Sequence, residues 1–291
     1  MPDTPLVGGQ RYASFSNSSN SQGTQVQADV VSAHTKGVWV SLGTATFDAQ
    51  QLMILFGAAT VNQSFLLDIG IGPNTSNVET VISNLMFEGA FWSAGDGGGF
   101  TGAMMTIPLN LIRGTADTDE IFVRCQATLD GAVVFVAALV MAQGFLPSQT
   151  PQRNATYGAV TSDTGGTEVD PGGTVNTKGS WVELVASTSF DHVFLNLGVG
   201  YQNKQSRTQT PSWLADIGIG ASGSEVVLIP DIYLFRDSGG DGTSGQGTFT
   251  VQNVGPFPVG IPSGTRLSVR AQCNNATVND REFDAILYGA G

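Results

Sequence analysis

The chain has 291 residues, of which 41% are hydrophobic and only 12% charged, with a formal net charge of −12. That length holds one large or two ordinary domains with real cores, and the hydrophobic share excludes a disordered chain. Twelve Lys and Arg against 24 Asp and Glu argue against nucleic acid as a partner, because phosphate neutralisation by cations supplies most of that affinity.

In chain order, Met1-Pro-Asp-Thr-Pro lacks the basic and then apolar pattern of a signal peptide. Residues 1–9 read as an N-terminal arm, and the protein is expected to be made in a cytoplasm. Short β-branched and aromatic runs then alternate with Gly, Asn, Ser, Pro and Asp clusters, the pattern of sandwiches and barrels. They fall at 37–42, 51–56, 65–71, 78–87, 121–127 and 133–140, and again at 181–185, 193–199, 214–219, 225–235, 266–271 and 283–288. Phe47 to Leu55 comes nearest to a helical stripe, but it has no caps and reads as a strand. The longest apolar run, Ala132 to Ala142, is too short for a membrane span, so no membrane partner is expected.

The chain repeats itself. Gln10-Arg11 recurs as Gln152-Arg153, and Thr35-Lys36-Gly37-Val38-Trp39-Val40 as Thr177-Lys178-Gly179-Ser180-Trp181-Val182. Asp68-Ile-Gly-Ile-Gly72 recurs as Asp216-Ile-Gly-Ile-Gly220, in a register that runs on to Phe87 and Phe235. Ile107-Pro108 then matches Ile261-Pro262, and Val123-Arg124-x-Gln126 matches Val269-Arg270-x-Gln272. A repeat of more than 100 residues is a domain duplication, since solenoids and propellers repeat at roughly 20–50. The expected organisation is two β-sandwich copies at 10–142 and 152–291, joined by a linker at 143–151. Six to eight strands in each copy suit an all-β, jelly-roll-like fold.

Chemistry is harder to find. Neither His34 nor His192 recurs in the other copy, and nothing in the spacing supplies a triad or metal partner. Gly218-x-Gly220-x-x-Gly223 is followed by a strand pattern, where a dinucleotide site needs a helix. Asp68 and Asp216 fall one per copy, so they do not read as a glycosidase pair but as turn caps. Asp117, Asp119 and Glu120, or Asp237 with Asp241, offer oxygens to calcium without EF-hand spacing. Cys125 and Cys273 read as free, buried thiols. Trp39 and Trp181 read as core, and the alternating glycines at 70, 72, 218 and 220 as bulges or close sheet packing. Glycine-rich stretches at 88–106 and 236–260 read as long loops, where partner contacts concentrate. The candidate contact residues are Phe91, Trp92, Asp96, Phe100, Asp237 and Asp241. No catalytic residue, cofactor or metal is read.

Gln152-Arg-Asn-Ala-Thr-Tyr-Gly, Asn176-Thr-Lys-Gly-Ser-Trp-Val-Glu-Leu and Ala215-Asp-Ile-Gly-Ile-Gly-Ala resemble β-rich structural proteins encoded by tailed bacteriophages, and the resemblance spans nearly the whole chain. It implies a non-enzymatic virion component: a capsid decoration (cement) protein, a homotrimer bound to the major capsid protein on the capsid exterior. The alternatives are a tail- or fibre-associated receptor or carbohydrate-binding protein, a double-jelly-roll capsid subunit, and a glycan depolymerase.

Overall fold

The computed structural model describes residues 12–15, 23–44, 49–59, 63–89, 103–112, 119–141, 153–200, 211–237, 248–249 and 253–291. The first nine strands are β1 (Tyr12–Phe15), β2 (Thr24–Gln27), β3 (Val40–Thr44), β4 (Ala49–Ala59), β5 (Gln63–Gly72), β6 (Glu79–Gly89), β7 (Ala103–Ile112), β8 (Glu120–Ala127) and β9 (Val133–Met141). Then follow β10 (Asn154–Tyr157), β11 (Thr167–Val169), β12 (Val182–Val185), β13 (His192–Gly200), β14 (Ser212–Ile219), β15 (Val226–Asp237), β16 (Thr248–Phe249), β17 (Asn253–Ile261) and β18 (Leu267–Cys273). A single helical turn, α1 (Val278–Arg281), precedes the last strand, β19 (Phe283–Ala290).

Among the described residues the strands form four antiparallel sheets. β1-β9-β4-β7, with β2 also on β9, faces β3-β8-β5-β6 in the N-terminal half. β10-β19-β13-β17, with β11 on β19, faces β12-β18-β14-β15-β16 in the C-terminal half. The pairing is nested: β5 with β6, β4 with β7, β3 with β8 and β2 with β9. The other half nests β14 with β15, β13 with β17, β12 with β18 and β11 with β19. One long hairpin folded across two sheets is a jelly roll. Each half closes over its own apolar cluster, one around Leu52, Phe65, Leu67, Ile69, Val123 and Val134, the other around Leu195, Trp213, Ile217, Val269 and Leu287.

The structure corrects the sequence register at two places. Phe87 pairs with Phe65, whereas Phe235 pairs with Ser212 and Leu234 takes the place opposite Trp213. The halves therefore differ by one residue between β5 and β6. Because side chains alternate across a strand, that slip sends Phe235 to the other face: Phe87 is 0% exposed and Phe235 38%. Similarly, Ile107-Pro108 lies opposite Leu52 and Gln51, and the matching place in the C-terminal half is held by Phe257-Pro258, opposite Leu195 and Phe194. The stretches read as long loops also contain strands, β7 in one and β16 with β17 in the other. β17 escaped notice because it carries Pro256 and Pro258, which are tolerated on the sheet edge it occupies. The expected arm at residues 1–9 and linker at 143–151 lie outside the described residues.

The halves meet face to face. The outer side of β5, β6 and β8 is covered by β10, β13, β19 and the turn after β10. The Met86 N–H donates to the Tyr288 hydroxyl at 2.7 Å, and Thr156 Oγ1 donates to the Ser83 carbonyl at 2.5 Å. Gln126 Nε2 donates to the Thr161 carbonyl at 2.8 Å and to Thr164 Oγ1 at 2.9 Å. Ile286 and Tyr288, from the C-terminal half, join the N-terminal apolar cluster.

Candidate functional site

The three motifs that repeat best converge in each half on one ion cluster. In the N-terminal half the segment before β3 carries Lys36 and Trp39, β5 carries Asp68, and β8 carries Arg124 directly opposite it. Asp68 Oδ1 accepts from Lys36 Nζ at 2.7 Å and from the Asn84 N–H at 3.0 Å, while Oδ2 accepts from Arg124 Nε at 2.9 Å. Lys36 also donates to the Leu66 carbonyl at 3.0 Å. In the C-terminal half Asp216 Oδ1 accepts from Lys178 Nζ at 2.6 Å and from the Asp231 N–H at 2.9 Å, and Oδ2 from Arg270 Nε at 3.0 Å. Lys178 donates to the Leu214 carbonyl at 3.0 Å. Each guanidinium lies over the tryptophan of its half, 4.4 Å from the ring centroid, within cation–π range.

This geometry accounts for the motif letters. Lys must reach across to a buried carboxylate, and Asp68 and Asp216 are each 3% exposed. A charge so far from water is retained only when paired and hydrogen-bonded. The glycine two residues after each aspartate makes room for tryptophan. A Cβ on Gly218 would stand 2.6 Å from Trp181 Cζ3 and Cη2, and one on Gly70 would stand 3.1 Å from Trp39 Cη2 and 2.2 Å from Val78 Cγ1. Close packing explains these glycines, but the tryptophans are half-buried beside the sheet rather than in the core. Asp68 and Asp216 are cluster centres more than turn caps. Burial alone would raise the Asp216 pKa, but the Asp231 N–H, Lys178 and Arg270 together outweigh it and hold the carboxyl below its usual value. Desolvation dominates at Lys36 and lowers its pKa against the pull of Asp68. The central carboxylates are turned inward and their cations brace the sheet, while in the C-terminal half the exposed Asp231 carboxylate also pairs with Lys178 at 2.9 Å.

The histidines have separate duties. His34 takes φ 58°, and Asn176 in the matching turn takes φ 56°. Their N–H groups both donate at 2.8 Å, to the Ala127 and Cys273 carbonyls respectively. His34 Nδ1 also lies 3.0 Å from Thr164 Oγ1, across the contact between the halves. His192 is buried, with Nε2 2.8 Å from the Tyr157 hydroxyl and the Phe190 ring edge-on at 4.4 Å. Its Nδ1 is buried without a hydrogen-bond partner, and desolvation pushes its pKa down to about 4. Cys125 and Cys273 are free and buried.

Of the contact residues expected from sequence, Phe91, Trp92, Asp96, Phe100 and Asp241 lie outside the described residues. Asp237 ends β15 opposite Thr248. Asp117 of the suggested calcium cluster is likewise outside. Among the described residues no group of three or more His, Cys, Asp or Glu is placed to hold a metal, and no helix is long and apolar enough to cross a membrane.

No protein-family model matches the sequence, and no curated protein matches it. Among solved structures the chain is similar to PNGF-II at 9% identity, covering 96% of this chain and 65% of that one with a TM-score of 0.39. The chain thus spans less than two thirds of that protein. It is also similar to PNGase F, a glycosylasparaginase from Flavobacterium meningosepticum, at 10% identity, 96% of each chain and a TM-score of 0.42. A protein in the structure of Sulfolobus Turreted Icosahedral Virus matches at 13% identity over 93% of this chain and 59% of that one, with a TM-score of 0.24. The expectation of a non-enzymatic chain is corrected here, because the solved structures it resembles include amidases. At these TM-scores the likeness brings no activity, substrate or residue role to this chain.

Proposed function

We propose that the chain is a structural component of a tailed-phage particle, a capsid decoration protein seated on the major capsid protein at the head exterior and assembled as a homotrimer. In this reading the two jelly rolls are duplicated domains spanning 10–142 and 152–291. The observation that carries it is the fate of the repeated motifs. Lys36, Asp68, Arg124 and Trp39, with Lys178, Asp216, Arg270 and Trp181, are all consumed in bracing the sandwich. What this chain repeats is a rigid module. An acidic, charge-poor composition suits a particle exterior more than a nucleic-acid interior. The test is to add purified protein to phage heads lacking it and image them by cryo-electron microscopy. Density at regular capsid positions is the expected result. Bare heads, or density only at the tail, overturn the decoration role and favour a receptor- or carbohydrate-binding one.

A further inference from the structure

The contact between the two halves has two sides, and each side exists a second time on the same chain. Within the chain, the outer face of β5, β6 and β8 is covered by β19, β13 and β10. Ladder register assigns the counterparts. Leu66, Met86 and Gln126 correspond to Leu214, Tyr233 and Gln272, since Leu66 pairs with both Met86 and Gln126, and Leu214 with both Tyr233 and Gln272. On the covering side Tyr288, Ile286, Thr156, Asn196 and Gly198 correspond to Leu139, Ala137, Ser14, Met53 and Leu55. Tyr288 pairs with Thr156 and Asn196 as Leu139 pairs with Ser14 and Met53.

Burial separates the used faces from the unused ones. Met86 is 1% exposed and Tyr233 62%, while Leu66 is buried and Leu214 only half-buried. β19 is buried along its whole length, on both faces. In β9 the outward residues Phe135, Ala137 and Leu139 are half-buried, and beside them in register Leu55 is 38% exposed. The unused C-terminal face carries an aromatic pair beside Gln272 and the Asp216–Arg270 ion pair, and the unused N-terminal face is mostly apolar. Tyr233 stacks on Phe235 at 5.9 Å between centroids, and Leu55 with Leu139 continues the opposite patch. Aromatic and aliphatic clusters of this kind at a sheet face mark contact surfaces.

We propose that the face of Leu214, Tyr233, Phe235 and Gln272 in the C-terminal half docks on the face of Leu55, Phe135 and Leu139 in the N-terminal half of a second copy. Copies thus associate head to tail by repeating between chains the contact that joins the halves within one. Thr156 Oγ1 donates to the Ser83 carbonyl inside the chain, and Ser14, which is exposed, stands ready to donate to Pro230, the register counterpart of Ser83. The Tyr288 hydroxyl has no counterpart at Leu139, where the Tyr233 ring supplies apolar contact instead. Such a contact is heterologous, so it closes into a ring or continues as a filament. The inference rests on the repeated pairing and not on the virion reading, and its test needs no capsid.

The experiment is sedimentation and light scattering of the full chain at micromolar concentration, on wild type, Tyr233→Asp, Leu139→Asp and an equimolar mixture of the two variants. Circular dichroism confirms that both variants fold, and Ser14→Arg provides a second block on the Leu139 face at an exposed site. A head-to-tail contact predicts an oligomeric wild type and two monomeric variants. The mixture should give a dimer and nothing larger, because each variant keeps one intact face. An oligomer that survives Leu139→Asp and Ser14→Arg overturns the proposed contact while leaving a homo-oligomer in place. A mixture that stays monomeric also overturns it, and a monomeric wild type sinks both the contact and the trimer.

Discussion

Replacing the central aspartate of each ion cluster by alanine should destabilise the two halves unequally. Asp216→Ala removes the acceptor of Lys178, Arg270 and the Asp231 N–H. Breaking a buried ion pair from one side costs about 3–5 kcal/mol, because the remaining charge is left desolvated. The arginines are alike, with side chains 28% (Arg270) and 32% (Arg124) exposed, but Lys178 retains the Asp231 carboxylate at 2.9 Å. An exposed pair of that kind contributes about 0.2–1 kcal/mol. The N-terminal half has Asn84 at the matching place, whose N–H makes the same bond to Asp68 but whose side chain brings no charge. Both losses should therefore fall within about 3–5 kcal/mol, with Asp68→Ala the larger by about 0.2–1 kcal/mol. The assay is urea denaturation at pH 7 followed by circular dichroism. A third variant, Asp216→Ala with Asp231→Asn, should bring the C-terminal loss up to that of Asp68→Ala. Losses under about 1 kcal/mol, or the reverse order, would refute the view that these carboxylates hold buried cations in place.

Three further outcomes are expected. Gly218→Ala sets a Cβ 2.6 Å from the Trp181 ring and should cost about 1–3 kcal/mol, whereas Gly260→Ala, with nothing within 4 Å of the added atom, should change stability by less than about 0.5 kcal/mol. His192 titrates near 4 in the fold against 6.5 in the open chain, so the unfolded state binds the extra proton first. Stability should fall as pH drops from about 6.5 towards 4, by at most about 3 kcal/mol at 1.36 kcal/mol per unit. A His192→Gln variant should flatten that part of a melting-temperature profile, and an unchanged slope would remove His192 as its source. Burial pushes the Cys125 thiol up to about 12, and both thiols are buried; an aromatic disulfide reagent at pH 8 should leave native protein unlabelled and titrate two thiols after unfolding.

Much of the architecture was legible before any coordinates. Short β-branched and aromatic runs such as Phe65–Ile71 and Val133–Val140, set between turn residues, marked strands, because such side chains suit a pleated, packed surface. The recurrence of Lys36, Trp39, Asp68 and Arg124 at Lys178, Trp181, Asp216 and Arg270 revealed the repeat, since a buried cluster tolerates no change of partner. Short or proline-bearing strands such as β2, β11 and β17 were illegible. Their place comes from pairing with β9, β19 and β13, not from their own composition.

What the sequence determined by itself was the class of fold and which residues belong together across the repeat. It could not say what they do. Lys36 and Asp68 are 32 residues apart, and only folding brings Nζ to within 2.7 Å of Oδ1. Tertiary structure also decided the slip that buries Phe87 and exposes Phe235, because a one-residue change in a turn leaves the composition of a strand intact and reverses its faces. It decided, finally, that Met86 and Tyr233, counterparts in the ladder, meet opposite fates. One is covered by the other half of its own chain, and the other looks outward, since two modules in line always leave one face of each kind free.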